Sequence, residues 1–387
     1  MSVSIDITGL RGMGAPPGSS EAESWGRIVF RTSPLAELAT TLHALAEPDH
    51  HPGIQGWVTA TAASLKPDLA DRLTQADFLW RHIFSDIFLP FAGLPDRDGS
   101  PGATLEEELD ALDRLSDERF VGAALEFSCG SRYGGVLPSP LVDRTRHDIA
   151  LEVAASRGPE QLGFTRRLLE DPPTVRAWVR RLLEDCHEAF FADTWRRVHT
   201  QLAADARHKT EILRRKGLRE ALTAVSAALS LNEGPGGTRI EADKLVHGST
   251  TAVDPAIAPG VTFLPSYHGW PHLTVLYAPG WRPVVMYPVG GPEPASPAPV
   301  ELIQLRLDAL AHPIRLRLCR NIARSPYTTS ELAVANDLSA PEVSRHLAVL
   351  KKAGLITTRR RGRYVLHQLD VTVVARLGSD FLEGILR

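Results

Sequence analysis

Between residues 328 and 369 the chain carries two helix starts, two helix stops and a basic hairpin in close succession, and few folds accommodate that punctuation. Thr328 or Thr329 is placed to cap a short helix over Ser330–Ala335, which ends at Asn336-Asp337. Ser339 caps a second over Ala340–Ala353, and Gly354 supplies the left-handed residue that ends it. Two short helices on a tight turn are what a helix-turn-helix requires. Ile356–Leu369 then reads as a β-hairpin with Arg360-Arg361-Gly362-Arg363 at its tip, a wing. Upstream, Leu302–Leu310 is predicted as a helix, and His312-Pro313 opens another over Ile314–Ala323, with Ile314, Leu316, Leu318 and Ile322 available for a core.

The second helix of the pair divides its faces as groove reading demands. Val343, Leu347, Val349 and Leu350 can face a core. Ala340, Pro341, Ser344, Arg345 and His346 leave small and polar groups near the helix N-terminus, where base edges are reached. Ser339 and the N–H groups of that turn suit a phosphate, Lys351 is a further DNA-binding candidate, and the wing residues Arg359, Arg360, Arg361 and Arg363 are poised for backbone or minor-groove contact. The charge distribution agrees. The net charge of −3 combines 14 Lys and Arg against 8 Asp and Glu from residue 300 onward with 29 against 38 before it. A basic end on an acidic body puts the polyanion partner, double-stranded DNA, at that end.

The segment from Leu305 to Leu377 resembles the ArsR family of bacterial winged-helix repressors. The residues that carry the likeness are DALAHPIRLRLCRNI, SELAVANDLS, APEVSRHLAVLKKAGLI and RRRGRYVLHQL. The resemblance implies a repressor acting as a homodimer built on the flanking helices, here Leu302–Leu310 and Val371–Leu386, the latter with Val374, Leu377, Phe381, Leu382 and Leu386 as its apolar face. A two-fold dimer in turn implies a near-palindromic operator. Many relatives sense metals through two cysteines of the third helix or Asp and His ligands of the last. Here Glu331-Leu332-Ala333-Val334-Ala335 has alanine at both cysteine positions, and Val371–Leu386 has no histidine, leaving Asp380 and Glu383. Borderline metals need thiolate or imidazole donors, so no metal site of the family's kinds is expected.

The family's repressors are usually about a hundred residues long, and most of this chain lies in front of that segment. The strings RIVFRTSPLAEL and FLPSYHGWPHLTVLYAPGWRPVVMYPV resemble actinobacterial regulators with an uncharacterised N-terminal domain. The predicted class is mainly α with small β elements: a C-terminal winged helix-turn-helix (300–387) fused to a larger, mostly helical N-terminal domain. That domain divides into a helical regulatory or dimerisation part (1–231) and a β-rich segment (238–289), with Asn232–Gly237 as the loop between them. A Pro/Gly/Ser/Ala linker spans 290–299.

Val3, Ile5 and Ile7 alternate as one strand face, with Arg27–Arg31 as a candidate partner. Ser33-Pro34 opens a helix with Leu35, Leu38, Leu42 and Leu45 at helical spacing. Thr104 and Glu107 resemble a capping box for a helix through Leu115. Helical pattern then dominates from Leu141 to about Leu229, its longest stretch being Val175–Leu202.

Val261–Pro265, Leu273–Tyr277 and Val284–Pro288 read as short strands. Tyr267, His268, Trp270, His272, Tyr277 and Trp281 among them suggest a pocket for a small organic effector, against the plainer reading of a sheet core. A ligand-free dimerisation or interaction module is the other reading of the large domain. Catalysis is not expected, since there is no GxSxG, Walker A or GxGxxG string, and His268 and His272 straddle Pro271. The polar string Glu184–Glu188 reads as an exposed helix face. No cofactor is implied. No apolar run reaches the ~20 residues of a membrane span. The N-terminus lacks a signal-peptide pattern, and three scattered cysteines fit a reducing cytoplasm.

Overall fold

The computed structural model describes residues 2–13, 25–48, 51, 54–81, 85–95, 99–125, 138–244, 247–289, 299–323, 326–361 and 364–385. The chain divides into two units, Met1–Glu293 and Pro294–Leu386. The linker expected at 290–299 lies outside the described residues except for Pro299.

The N-terminal unit is organised by two four-stranded sheets. The first has β1 (Ser2–Asp6) inside it, antiparallel to β4 (Gly237–Asp243) and parallel to β5 (Gly248–Thr251), with β3 (Leu229–Gly234) on the far side of β4. The second runs β2 (Ile28–Phe30), β6 (Val261–Ser266), β8 (Val284–Pro288), β7 (Thr274–Leu276), the first three parallel. The expected pairing of the first strand with Arg27–Arg31 is therefore wrong. Ser2 stands opposite Asp243, and Ile28 opposite Val261. Alternation shows that a strand has a buried face and does not name its neighbour.

Two further expectations change. The helical pattern stops at Val225, and Leu229 already belongs to β3. Asn232–Gly237 is a hairpin in which Gly234 faces Gly237, rather than a boundary. The strands of the β-rich segment share both sheets with β1 and β2.

Strand β8 is buried on both faces. Val284 and Met286 enter one core, Val285 and Tyr287 the other. Helix α1 (Pro34–Ala46) is followed by α2 (Gln55–Ser64), which packs against it. The first core is filled by α1, α3 (Pro67–Ala76), α4 (Leu105–Asp113), α5 (Asp117–Leu125), α6 (Arg144–Arg157), α7 (Pro159–Glu170) and α8 (Pro172–Cys186). Short 3-10 turns add Leu79, Ile87, Phe88 and Phe91 to it. The second core joins the two sheets through α9 (Ala192–Lys216) and α10 (Leu218–Val225), with Phe30 stacked on Phe263 at 4.9 Å. Each fully buried side chain of this size contributes about 1.5–3 kcal/mol of transfer free energy. The helical stretch expected over Val175–Leu202 is continuous from α8 to α9 and contains a π-turn, His187–Phe191, in which Phe191 is buried. In the polar string before it, Cys186 is fully buried, and burial pushes its thiol up to about 12.

Helix α1 explains where the unit keeps its polar groups. Ser33 caps it as the sequence predicts, yet the helix is buried almost all round rather than along one stripe. Its N-terminus meets the buried Glu108 carboxylate of α4, which accepts from Ser33 Oγ (2.9 Å) and the Leu35 N–H (2.7 Å). A carboxylate there satisfies orphan donors and complements the helix dipole.

The C-terminal unit packs α11 (Val300–Leu310), α12 (Pro313–Ile322), α13 (Thr329–Asn336), α14 (Ala340–Lys352) and α15 (Val371–Ile385) with a three-stranded sheet. That sheet runs β10 (Ile356–Arg361), β11 (Tyr364–Leu369), β9 (Tyr327–Thr328). Leu318, Ile322, Leu332, Val343, Leu347, Leu350 and Leu355 form its core. Leu316 and Val349, both expected inside, are 48% and 38% exposed. Each lies on a helix whose buried stripe is already supplied by its neighbours one turn away.

Candidate nucleic-acid interface

Local chemistry builds the helix pair. Thr328 is the cap of α13: its hydroxyl accepts from the Glu331 N–H (3.2 Å), while Glu331 accepts from the Thr328 N–H (2.7 Å), a complete capping box. The Thr328 N–H and, after it, the Thr328 hydroxyl donating to Glu331 Oε2 at 2.8 Å hold the Glu331 carboxyl below its ordinary pKa. The turn is made by Asp337 at φ 55°, after which the Leu338 N–H returns to the Ala333 carbonyl at 3.0 Å. Ser339 caps α14, and Gly354 at φ 66° ends it with Leu355 N–H returning to Leu350.

Helix α14 is thereby held by Val343, Leu347 and Leu350 on its inner face. Ser339, Ala340, Pro341, Ser344 and Arg345 stand exposed at its N-terminal end, and Lys351 at its other end. His346 is half-buried, its ring 4.9 Å from that of His312. Burial and the neighbouring His312 and Arg315 lower its pKa, so it is neutral at neutral pH. The wing is regular: β10 pairs with β11 from Ile356 opposite Leu369 to Arg361 opposite Tyr364, with Arg359 and Arg360 exposed along it. Arg361 closes the ladder, and Arg363 at the tip lies outside the described residues. Small, polar and cationic groups thus share the outer side of α14 and its wing. This is the division between base-edge reading and backbone contact that DNA requires.

The aromatic and imidazole residues of the N-terminal unit do not form one group. Trp281 packs into the first core and Tyr277 into the second, each nearly buried. Their close contacts with Gly93 and Gly248 leave no room for a Cβ there. Trp270 is half-buried, and Tyr267, also half-buried, lies with its ring 5.2 Å from that of His268. His268 is buried beside α1. Its Nδ1–H donates to Glu37 (2.7 Å), which also accepts from the Tyr267 and His268 N–H groups, and Trp57 lies 4.9 Å from its ring. His272 turns toward His43 and His51, two residues that the sequence reading had not singled out. The hint lay in an imidazole on a helix that is, Pro34 and Glu37 apart, leucine, alanine and threonine.

The wing, the capped helix pair and α11–α15 define an ArsR-type winged helix-turn-helix, the architecture of DNA-binding transcriptional regulators, and residues 310–359 match a helix-turn-helix domain model. The chain belongs to a family of unknown function (DUF5937), whose model matches residues 1–293. A biofilm growth-associated repressor of Agrobacterium fabrum is 34% identical over 86 residues, covering 22% of this chain and 74% of that protein. The HTH-type transcriptional repressor SmtB of Mycobacterium tuberculosis is 37% identical over 88 residues, covering 22% of this chain and 65% of that one. Among solved structures, the homodimeric winged helix-turn-helix DNA-binding domain of a possible ArsR-family regulator from Mycobacterium bovis is 26% identical. It covers 23% of this chain and 82% of its own, with a TM-score of 0.20. No described helix is long and apolar enough to cross a membrane.

Proposed function

We propose that this protein is a transcriptional repressor that binds a near-palindromic operator as a homodimer and takes its regulatory input in the N-terminal unit. The observation that carries the DNA-binding part is the outer side of α14, where Ser344 and Arg345 stand exposed on a helix locked from behind and continued by Arg359 and Arg360. Support for the dimer comes from the flanking helices. Val300, Leu307, Phe381 and Ile385 of α11 and α15 are 43–54% exposed, an apolar surface of the kind a second copy covers.

Control by the family's usual metal sites is not part of this reading. Ala333 and Ala335 offer no thiolate, and Asp380 is bound to Arg306 at 2.8 Å. Support for a small organic effector comes from the buried polar set Glu37, Thr40, Thr41, Ser266 and His268 on one side of α1. A second reading, the N-terminal unit as an interaction module, is favoured by Val142 and Ile149, 63% and 41% exposed beside and on α6.

Selection from random duplexes with the full chain tests the proposal. It is expected to enrich an inverted repeat with half-sites one helical turn apart, bound by a dimer in sedimentation. Enrichment of no sequence, or binding by a monomer, overturns it.

A further inference from the structure

Among the described residues, His43, His51 and His272 place one ligand nitrogen each within 4.8 Å of one another. They come from the last turn of α1, the segment after it and the turn between β6 and β7. His43 and His51 are buried, and His272 is half-buried. The three ring centroids form a near-equilateral triangle of 5.1, 5.2 and 5.4 Å, with planes inclined at 63–82° to one another.

The tautomer of His43 is set by the protein. Its Nδ1 lies 2.8 Å from the Trp80 carbonyl oxygen, which can only accept, so Nδ1 carries the proton. In the neutral ring Nε2 is then a lone pair, and it lies 3.4 Å from Nε2 of His272. A carbonyl holding the far nitrogen of an imidazole is the usual support of a metal-bound histidine. That one spacing also fits: with bonds of about 2.0–2.1 Å, donor atoms of a tetrahedral zinc site stand about 3.3–3.4 Å apart, and the His51 nitrogen lies within 4.8 Å of both.

We infer that His43, His51 and His272 form a binding site for a borderline divalent transition-metal ion, Zn²⁺ or a close analogue, inside the N-terminal unit. Three imidazoles match that class of ion and leave a fourth tetrahedral position for water or a small ligand. The site is distinct from both metal sites of the ArsR-type domain. It goes beyond the DNA-binding proposal and does not rest on it, since binding is read without DNA.

The test titrates the full-length protein with Co²⁺ and then Zn²⁺. One equivalent of Co²⁺ is expected to give the intense visible bands of a tetrahedral ion, which Zn²⁺ abolishes. His272→Ala, half-exposed and least able to disturb folding, and His51→Ala are each expected to weaken binding at least 100-fold with an unchanged circular dichroism spectrum. His346→Ala, in the other imidazole pair, is expected to leave it unaltered. No tetrahedral signal at one equivalent, a signal that survives His272→Ala and His51→Ala, or loss only in His346→Ala overturns the inference.

Discussion

In the N-terminal unit Arg282, Glu37 and Glu108 are buried and bonded to protein atoms, whereas Arg345, Lys351, Arg359 and Arg360 of the C-terminal unit stand in solvent. The Arg282 guanidinium donates to the Arg27 and Pro259 carbonyls (3.0 and 2.8 Å) and to Thr262 Oγ1 (3.1 Å), tying β2 to β6 from within. Charge in the first unit therefore acts as internal framework. In the second, the buried Arg306–Asp380 pair aside, the cations of α14 and its wing are kept off the core and exposed. A residue of the same type has opposite consequences in the two places: substitution inside costs stability and substitution outside costs binding.

The largest effect expected from that contrast is at Arg282. Arg282→Met leaves several buried acceptors without their donor and should cost about 3–5 kcal/mol in urea unfolding of the full chain. A loss under about 1 kcal/mol would remove the internal half of the contrast. Next is Phe381→Asp, which sets a carboxylate into the apolar α11–α15 surface and should weaken the dimer at least 100-fold, about 2.7 kcal/mol. A dimer that persists at low micromolar concentration would place the interface elsewhere.

Arg345→Ala should cost about 1–3 kcal/mol of operator binding and relax preference at one base position. Arg359→Ala should weaken all sequences alike and lower the salt slope by about 1. Both should leave stability within about 0.5 kcal/mol; a larger loss would mean that the outer charges also serve as framework. The smallest effect concerns pH. His346 has a lowered pKa and is neutral in the unbound protein near pH 7, and a nearby phosphate raises it. Binding then takes up a proton, so affinity should rise, by less than about tenfold, as pH falls from 8 to 6. His346→Gln should flatten that rise; an unchanged profile would assign it to His312 or another group.

The same contrast decides how much could be read in advance. Thr328, Glu331, Ser339 and Gly354 act within four residues of themselves, so the helices, turn and wing of the C-terminal unit were legible, as was the exposed face of α14. The misplaced Leu316 and Val349 show the limit there, since periodicity marks apolar positions without saying how wide the buried stripe is. In the N-terminal unit the deciding contacts are distant. Val3 and Ile5 announced a strand but not β4, and Tyr277 and Trp281 announced apolar surroundings but not opposite cores. His43 and His272 are joined only by closure of the second sheet against α1, and spacing along the chain carries no trace of that.

The central place of β1 in its sheet has a consequence during synthesis. Its partners Gly237–Asp243 and Gly248–Thr251 leave the ribosome some 240 residues later, which at about 5–20 residues per second is a wait of about 12–50 s. Through that interval β1 has both edges open, a template for unwanted pairing and a natural client for a chaperone.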